Sequence, residues 1–217
     1  MSDYPARREI MVDTQVRPAD VTKFPIIDAM LSVPREDFVP SEQREAAYVG
    51  ENLALDQDRV MLEPRTVAKM LDALNVTGTE LVLVIGAGLG YTTALLARIA
   101  EAVVAVEDDA ARASEAQTNL SDVGADNAIV HAGPLADGAA QHGPYDAILI
   151  EGGVEQVPDT LLDQLKEGGR IAALFVDGQL GIARIGYKID GAISWRYAFN
   201  AAAPLLPGFV REQAFQL

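Results

Sequence analysis

Glu80-Leu-Val-Leu-Val-Ile-Gly86-Ala87-Gly88-Leu-Gly90-Tyr91, then Ala94 to Glu101, then Ala102-Val-Val-Ala-Val-Glu107-Asp108-Asp109, is the stretch whose reading decides the fold. Leu81 to Ile85 is short, continuous and mostly β-branched, the pattern of a strand buried on both faces of a parallel sheet. Three glycines at alternate positions follow, where the backbone can turn tightly and a ligand can approach without meeting a Cβ. Thr92 to Ala100 carries Leu95, Leu96 and Ile99 at helical spacing, and a second apolar run ends in Glu107, 21 positions after Gly86. In a βαβ unit that spacing puts a carboxylate at the end of the second strand, where it can accept hydrogen bonds from both hydroxyls of a ribose. The unit reads as a nucleoside-binding half-fold.

A dinucleotide fingerprint needs a glycine three positions after its second, and Tyr91 stands there, which weighs against an NAD-dependent oxidoreductase. The pattern G-x-G-x-G resembles instead the first motif of the S-adenosylmethionine-dependent methyltransferases. A glycine turn with no ligand remains the plain alternative.

Composition narrows the field. The chain has 217 residues, is 49% hydrophobic and carries a net charge of −15, with no cysteine. One domain of this size buries an ample core. The acidic balance argues against a nucleic-acid backbone or an anionic membrane as partner. No apolar run reaches the ~20 residues of a membrane span, the N-terminus lacks an apolar signal core, and a cytoplasmic location is expected. A monomer is the default oligomeric expectation. His131 and His142, the two histidines, lie in unlike contexts, so no metal site is expected.

Working outward, residues 1–45 read as helices broken by Pro18 and Pro25, with Thr22 or Asp20 as a cap, and residues 33–40 end regular structure between two prolines. The segment from Ala46 to Met61 reads as loop, and Pro64 opens a helix that Thr77-Gly78 stops. Beyond the central unit the spacing predicts a helix over 112–123, a strand over 128–131 and a buried strand over 145–150. That strand leads into a second glycine turn, Glu151-Gly152-Gly153. A helix over 158–166 closed by Gly168-Gly169, a strand over 171–176 and an antiparallel hairpin turning at Asp190-Gly191 complete the pattern. Trp195 and Phe199 are expected to pack that hairpin on the sheet. The predicted architecture is α/β, a Rossmann-like, mostly parallel doubly wound sheet with an antiparallel C-terminal hairpin and an N-terminal helical cover. It forms a single domain over 1–217, with helices and substrate loop in 1–75 and the cofactor-binding core in 76–217.

Several further stretches carry a more specific resemblance: Met11-Val12 with Gln15-Val16, Val33-Pro-Arg-Glu-Asp-Phe-Val-Pro40, Ala47-Tyr48, and Pro64 with Val67-Ala-Lys-Met70. To these add the glycine turn, Val106-Glu107, Tyr145-Asp146, Leu165 and Gly168-Gly169. From residue 7 to about 176 the chain resembles the protein-L-isoaspartate O-methyltransferase family. The resemblance implies methyl transfer from S-adenosylmethionine to the abnormal carboxylate of isoaspartyl residues in damaged proteins. It implies cofactor contacts at Gly86, Ala87, Gly88, Gly90, Tyr91, Glu107, Asp108 and the Gly133-Pro134-Leu135 segment; Glu151, at the carboxyl edge after the fourth strand, reads either as lining the methyl-transfer pocket or as a solvated turn acid. It also implies substrate-loop positions at Arg59, Val60 and Leu62. The chain departs from the family where a run like Gly-Gln-Thr-Ile-Ser-Gln-Pro is replaced by Asp58-Arg-Val-Met-Leu-Glu-Pro64, where Val84 replaces an acid, and where Gly133-Pro134-Leu135 replaces Gly-Asp-Gly. These departures leave open a second reading, a binding protein of altered specificity on the same scaffold. Arg59 is the one donor in the altered loop suited to a carboxylate; an ion pair with Asp56, Asp58 or Glu63 is its alternative role.

Overall fold

The computed structural model describes residues 3–178 and 180–211; residues 1–2, 179 and 212–217, including both ends of the expected domain, lie outside the description. Two helices, α1 (Tyr4–Met11) and α2 (Phe24–Ser32), open the chain, α1 running on into a π-helical turn over Val12–Val16. A two-stranded hairpin, β1 (Leu53–Ala54) and β2 (Val60–Met61), precedes α3 (Pro64–Leu74). Next come β3 (Leu81–Ile85), α4 (Tyr91–Ala97), β4 (Ala102–Glu107), α5 (Ala110–Asp122), β5 (Ala128–Ala132), β6 (Tyr145–Val154), α6 (Asp159–Leu162), β7 (Leu165–Asp177), β8 (Leu180–Ile189) and β9 (Ala192–Asn200).

The sheet order is β5-β4-β3-β6-β7-β8-β9, parallel as far as β7 and antiparallel in the last two pairings. From β3 the chain steps outward to β4 and β5, then returns to place β6 on the other side. The strand order therefore reverses beside β3, and ligands of open α/β sheets bind at such a reversal, beyond the carboxyl ends of the strands. Alternate residues of β3 face opposite ways: Val82 and Val84 join a core with α3, α4 and the N-terminal helices, while Leu83 and Ile85 join a second core with Leu206 and Phe209. The central strands β3, β4 and β6 are buried along nearly their whole length because both faces are covered.

Several expected boundaries shift, each for a tertiary reason. α2 starts after Lys23 with no side-chain cap, while Asp20 adopts a left-handed turn instead of capping. Asn75, at φ 50°, closes α3 ahead of Thr77-Gly78. The segment expected as loop up to Met61 contains the β1–β2 hairpin. The helix expected over 158–166 is one turn, because Leu165 pairs with Tyr145 and Lys166 with Asp146, drawing that segment into β7. Gly168-Gly169 is consequently an irregularity inside a strand. Glu151-Gly152-Gly153 is no turn either: β6 runs through it to Val154 with a shifted register. A Cβ on Gly152 would lie 2.4 Å from Leu206 Cγ, so this glycine admits the chain's own 204–206 segment. Phe199 is buried and Trp195 packs edge-on to Phe175 at 4.8 Å, as expected of the closing hairpin.

Candidate active site

Register assembles the site. Ile85 stands opposite Val106 on one side and Ile150 on the other, so the next residues, Gly86 and Glu107 at the carboxyl ends of β3 and β4 and Glu151 within β6, emerge in a row where β3 ends. Gly86, Gly88 and Gly90 all adopt positive φ (80°, 57° and 101°), a conformation that costs other residues strain. Gly90 then caps α4, and Tyr91 to Leu96 are buried.

The Val33–Pro40 run supports this turn from below. Arg35, fully buried, donates from Nε to the Ala47 carbonyl and from Nη2 to the Leu62 carbonyl at 2.8 Å, and its guanidinium lies 4.7 Å over the Tyr91 ring. Phe38 meets the same ring edge-on. Tyr91 is thus gripped by the Val33–Pro40 run, and its hydroxyl has no hydrogen-bond partner among the described residues. Sequence reading passes over Arg35 as a member of the site; an arginine between two prolines in an apolar run is the available signal.

Glu107, wholly buried, is the most heavily bonded group of the site. Its Oε2 accepts from the Gly88 amide and from Arg59 Nη2, both at 2.8 Å, and its Oε1 accepts from Arg59 Nη1 and Arg112 Nε, both at 2.9 Å. Asp108 at the rim accepts from Arg59 Nη1 as well. Burial would raise Asp108, but the guanidiniums of Arg59 and Arg112 outweigh that and hold it below the usual carboxylate range. Glu151 has no such partners. Its Oε1 accepts from the Thr92 hydroxyl at 2.7 Å, its Oε2 has no partner among the described residues, and burial pushes its pKa up to about 8. The carboxylic acid of Glu151 is therefore mostly neutral at pH 7.

A family model described as protein-L-isoaspartate(D-aspartate) O-methyltransferase matches residues 7–196. The chain belongs to this family. The protein-L-isoaspartate O-methyltransferase of Syntrophus aciditrophicus is 38% identical over 171 residues, covering 79% of this chain and 78% of that one. Protein-L-isoaspartate O-methyltransferase 2 of Pelobacter propionicus is 37% identical over 185 residues, 83% and 82% of the two chains. A solved protein-L-isoaspartate O-methyltransferase superposes with a TM-score of 0.82 at 26% identity, covering 93% of this chain, which spans 66% of that one. A Plasmodium falciparum structure, solved with S-adenosyl-L-homocysteine, gives a TM-score of 0.80 at 18% identity over 95% and 99% of the two chains, a likeness that shows the fold alone. The expected fold, family and methyltransferase class are borne out.

Against that family background the remaining expected residues fall into place unevenly. Gly133 follows β5 with its amide on the Glu107 carbonyl, Pro134 is exposed, and Leu135 is buried in the second core. Leu62 is fully buried under the β1–β2 hairpin and Val60 is half-buried. Arg59 pairs with Glu107 and Asp108 in place of the expected Asp56, Asp58 or Glu63, so both terminal nitrogens are engaged within the protein.

The residue types suit a nucleoside, but the space does not. A Cβ on Gly88 would lie 2.7 Å from Leu55 Cδ1, and one on Gly86 would lie 3.1 Å from Arg59 Nη2, so both glycines face the hairpin loop of their own chain. The gap among Leu55, Val60, Met61, Gly88, Tyr91 and Glu151 has no volume for even a water molecule. Ligand pockets typically hold about 300–1,000 Å³. The hairpin loop of the same chain fills this part of the site.

Proposed function

We propose that this chain transfers the methyl group of S-adenosylmethionine to the free carboxylate of isoaspartyl residues in damaged proteins. The observation that carries this reading is the row Gly86, Glu107, Glu151 at the strand reversal, in a chain whose residues 7–196 match the isoaspartyl methyltransferase family. Glu107 and the glycine turn are the groups of this chain suited to a ribose and to close backbone approach; Ala87, Tyr91, Asp108, Glu151 and the 133–135 segment border them. The donor brings an activated methyl group, and a carboxylate acceptor is ionised at neutral pH, so the protein needs no general base and acts chiefly by alignment and exclusion of water. The absence of cysteine and the presence of just two histidines accord with such chemistry. Within the loop, Arg59 and Val60 are proposed to face the acceptor once the guanidinium is released from Glu107, with Leu62 packing beneath.

The proposal extends to a single-domain protein over 1–217, with residues 1–75 covering the 76–217 core, working as a cytoplasmic monomer on proteins and not on nucleic acids. The net charge of −15 supports the last point. The test is isotopic methyl transfer from labelled S-adenosylmethionine to a peptide with one isoaspartyl linkage and to its aspartyl counterpart. Label is expected in the first alone. No incorporation into either would remove the repair reading and favour a binding protein on the same scaffold.

A further inference from the structure

The loop between β1 and β2 does more than approach the nucleoside site; it occupies it. Two side chains of this one loop cover the two features that a nucleoside needs. Arg59 takes both oxygens of Glu107 through its two terminal nitrogens, the same pair of acceptor positions that two ribose hydroxyls would use. Leu55 lies on Gly88, where a ligand would pass the backbone. The loop reaches in as one ordered piece. The Leu55 and Asp56 amides donate to the Arg59 carbonyl, Asp56 Oδ1 accepts from the amides of Asp58 and Arg59 at 3.1 Å, and Leu53 and Ala54 pair with Met61 and Val60. Arg112 on α5 fastens its outer end, bonding Asp56 with one nitrogen and Glu107 with another.

We infer that the 53–61 hairpin is an internal competitor for the cofactor, with the Arg59 guanidinium standing in for the ribose diol, so that cofactor and closed loop exclude each other. The inference rests on the methyltransferase reading of the site and adds a regulatory element to it. Energetics permit the exchange. A buried ion pair gains little over its own desolvation, so the closed state is held by a modest margin that a ligand can overcome. The ligand's apparent affinity is then reduced by the fraction of molecules in which the loop is open. The same opening would release Arg59 toward the acceptor side, coupling cofactor entry to assembly of the substrate loop.

The experiment is calorimetric titration of the full chain with S-adenosylhomocysteine, comparing wild type with Arg59→Ala and Leu55→Ala, and with Glu107→Gln as the variant that keeps one accepting oxygen and loses the charge and the second. Both loop variants are expected to bind at least tenfold more tightly than wild type, and Glu107→Gln to bind more weakly than either. Leu55→Ala removes no charge, so it carries the test if Arg59→Ala does not fold. Equal affinities in wild type and the loop variants would overturn the competitor and leave the cofactor site standing. No binding by any folded protein, the opened variants included, would overturn the nucleoside reading of the site and the competitor with it.

Discussion

Glu151 offers a test of the site that needs no ligand. Its carboxyl lies within β6 in the interior, with one oxygen on Thr92 and the other without a partner among the described residues, and burial outweighs that bond and the positive charge of Arg59 and Arg35. The folded-state pKa stands at about 8 against 4.5 for the exposed group. In the window between them the unfolded chain has released this proton and the native protein still holds it. Native binding of the extra proton makes stability fall as pH rises, by about 1.4 kcal/mol per pH unit. The contribution is complete below the unfolded pKa and is lost as pH climbs through about 8, a total on the order of 5 kcal/mol. Glu151→Gln keeps the acceptor for Thr92 and the side-chain shape but never ionises. Urea unfolding of both proteins from about pH 5 to about pH 9 isolates the effect, because every other titrating group cancels in the difference. The wild type is expected to lose stability relative to Glu151→Gln across this range, with the curves levelling near the upper end. Parallel curves would refute the reasoning and mean that the carboxyl is solvated or paired in solution.

Two further predictions concern the fold around the same site. Glu107→Gln leaves the Arg59 guanidinium buried with Asp108 as its remaining carboxylate, and urea unfolding is expected to register a loss of about 3 kcal/mol; a loss under about 1 kcal/mol would show the pair to be open in solution. Gly152→Ala puts a Cβ 2.4 Å from Leu206 Cγ, and overpacking of roughly 1–3 kcal/mol is expected in the same assay, with the 204–206 segment the first to lose amide-exchange protection; unchanged stability would show that this segment is not packed on β6.

The sequence disclosed those parts of the site whose causes are local. Strand, glycines, helix and Glu107 sit within about thirty residues, and a continuous β-branched run followed by helical spacing is a local signal. What it hid was fixed by residues far along the chain. Arg59 and Glu107 are 48 positions apart, and nothing near Arg59 in sequence distinguishes Glu107 from the nearer Asp56, Asp58 and Glu63 as its partner. Gly152 reads as a ligand-facing turn because a glycine shows that something comes close without showing what; here it is Leu206. The helix expected over 158–166 was sound on propensity and was overridden by sheet pairing to Tyr145.

The altered loop becomes intelligible when its substitutions are taken together. Relative to the family run, Val60 and Leu62 replace hydroxyl residues and Arg59 replaces a glutamine. Leu62 becomes part of the core beneath the hairpin, and Val60 faces the closed gap beside Gly88 and Tyr91. Apolar side chains here favour a hairpin pressed onto the glycine turn, since exposing them to water costs about 25 cal/mol per Å². That pressing carries Arg59 to Glu107, and the ion pair in turn holds Leu55 over Gly88. Groups that share one loop and one buried partner do not contribute independently, so restoring a hydroxyl at position 60 or 62 should weaken the grip of Arg59 as well. The departures within the loop thus act in one direction, pressing the hairpin onto the glycine turn.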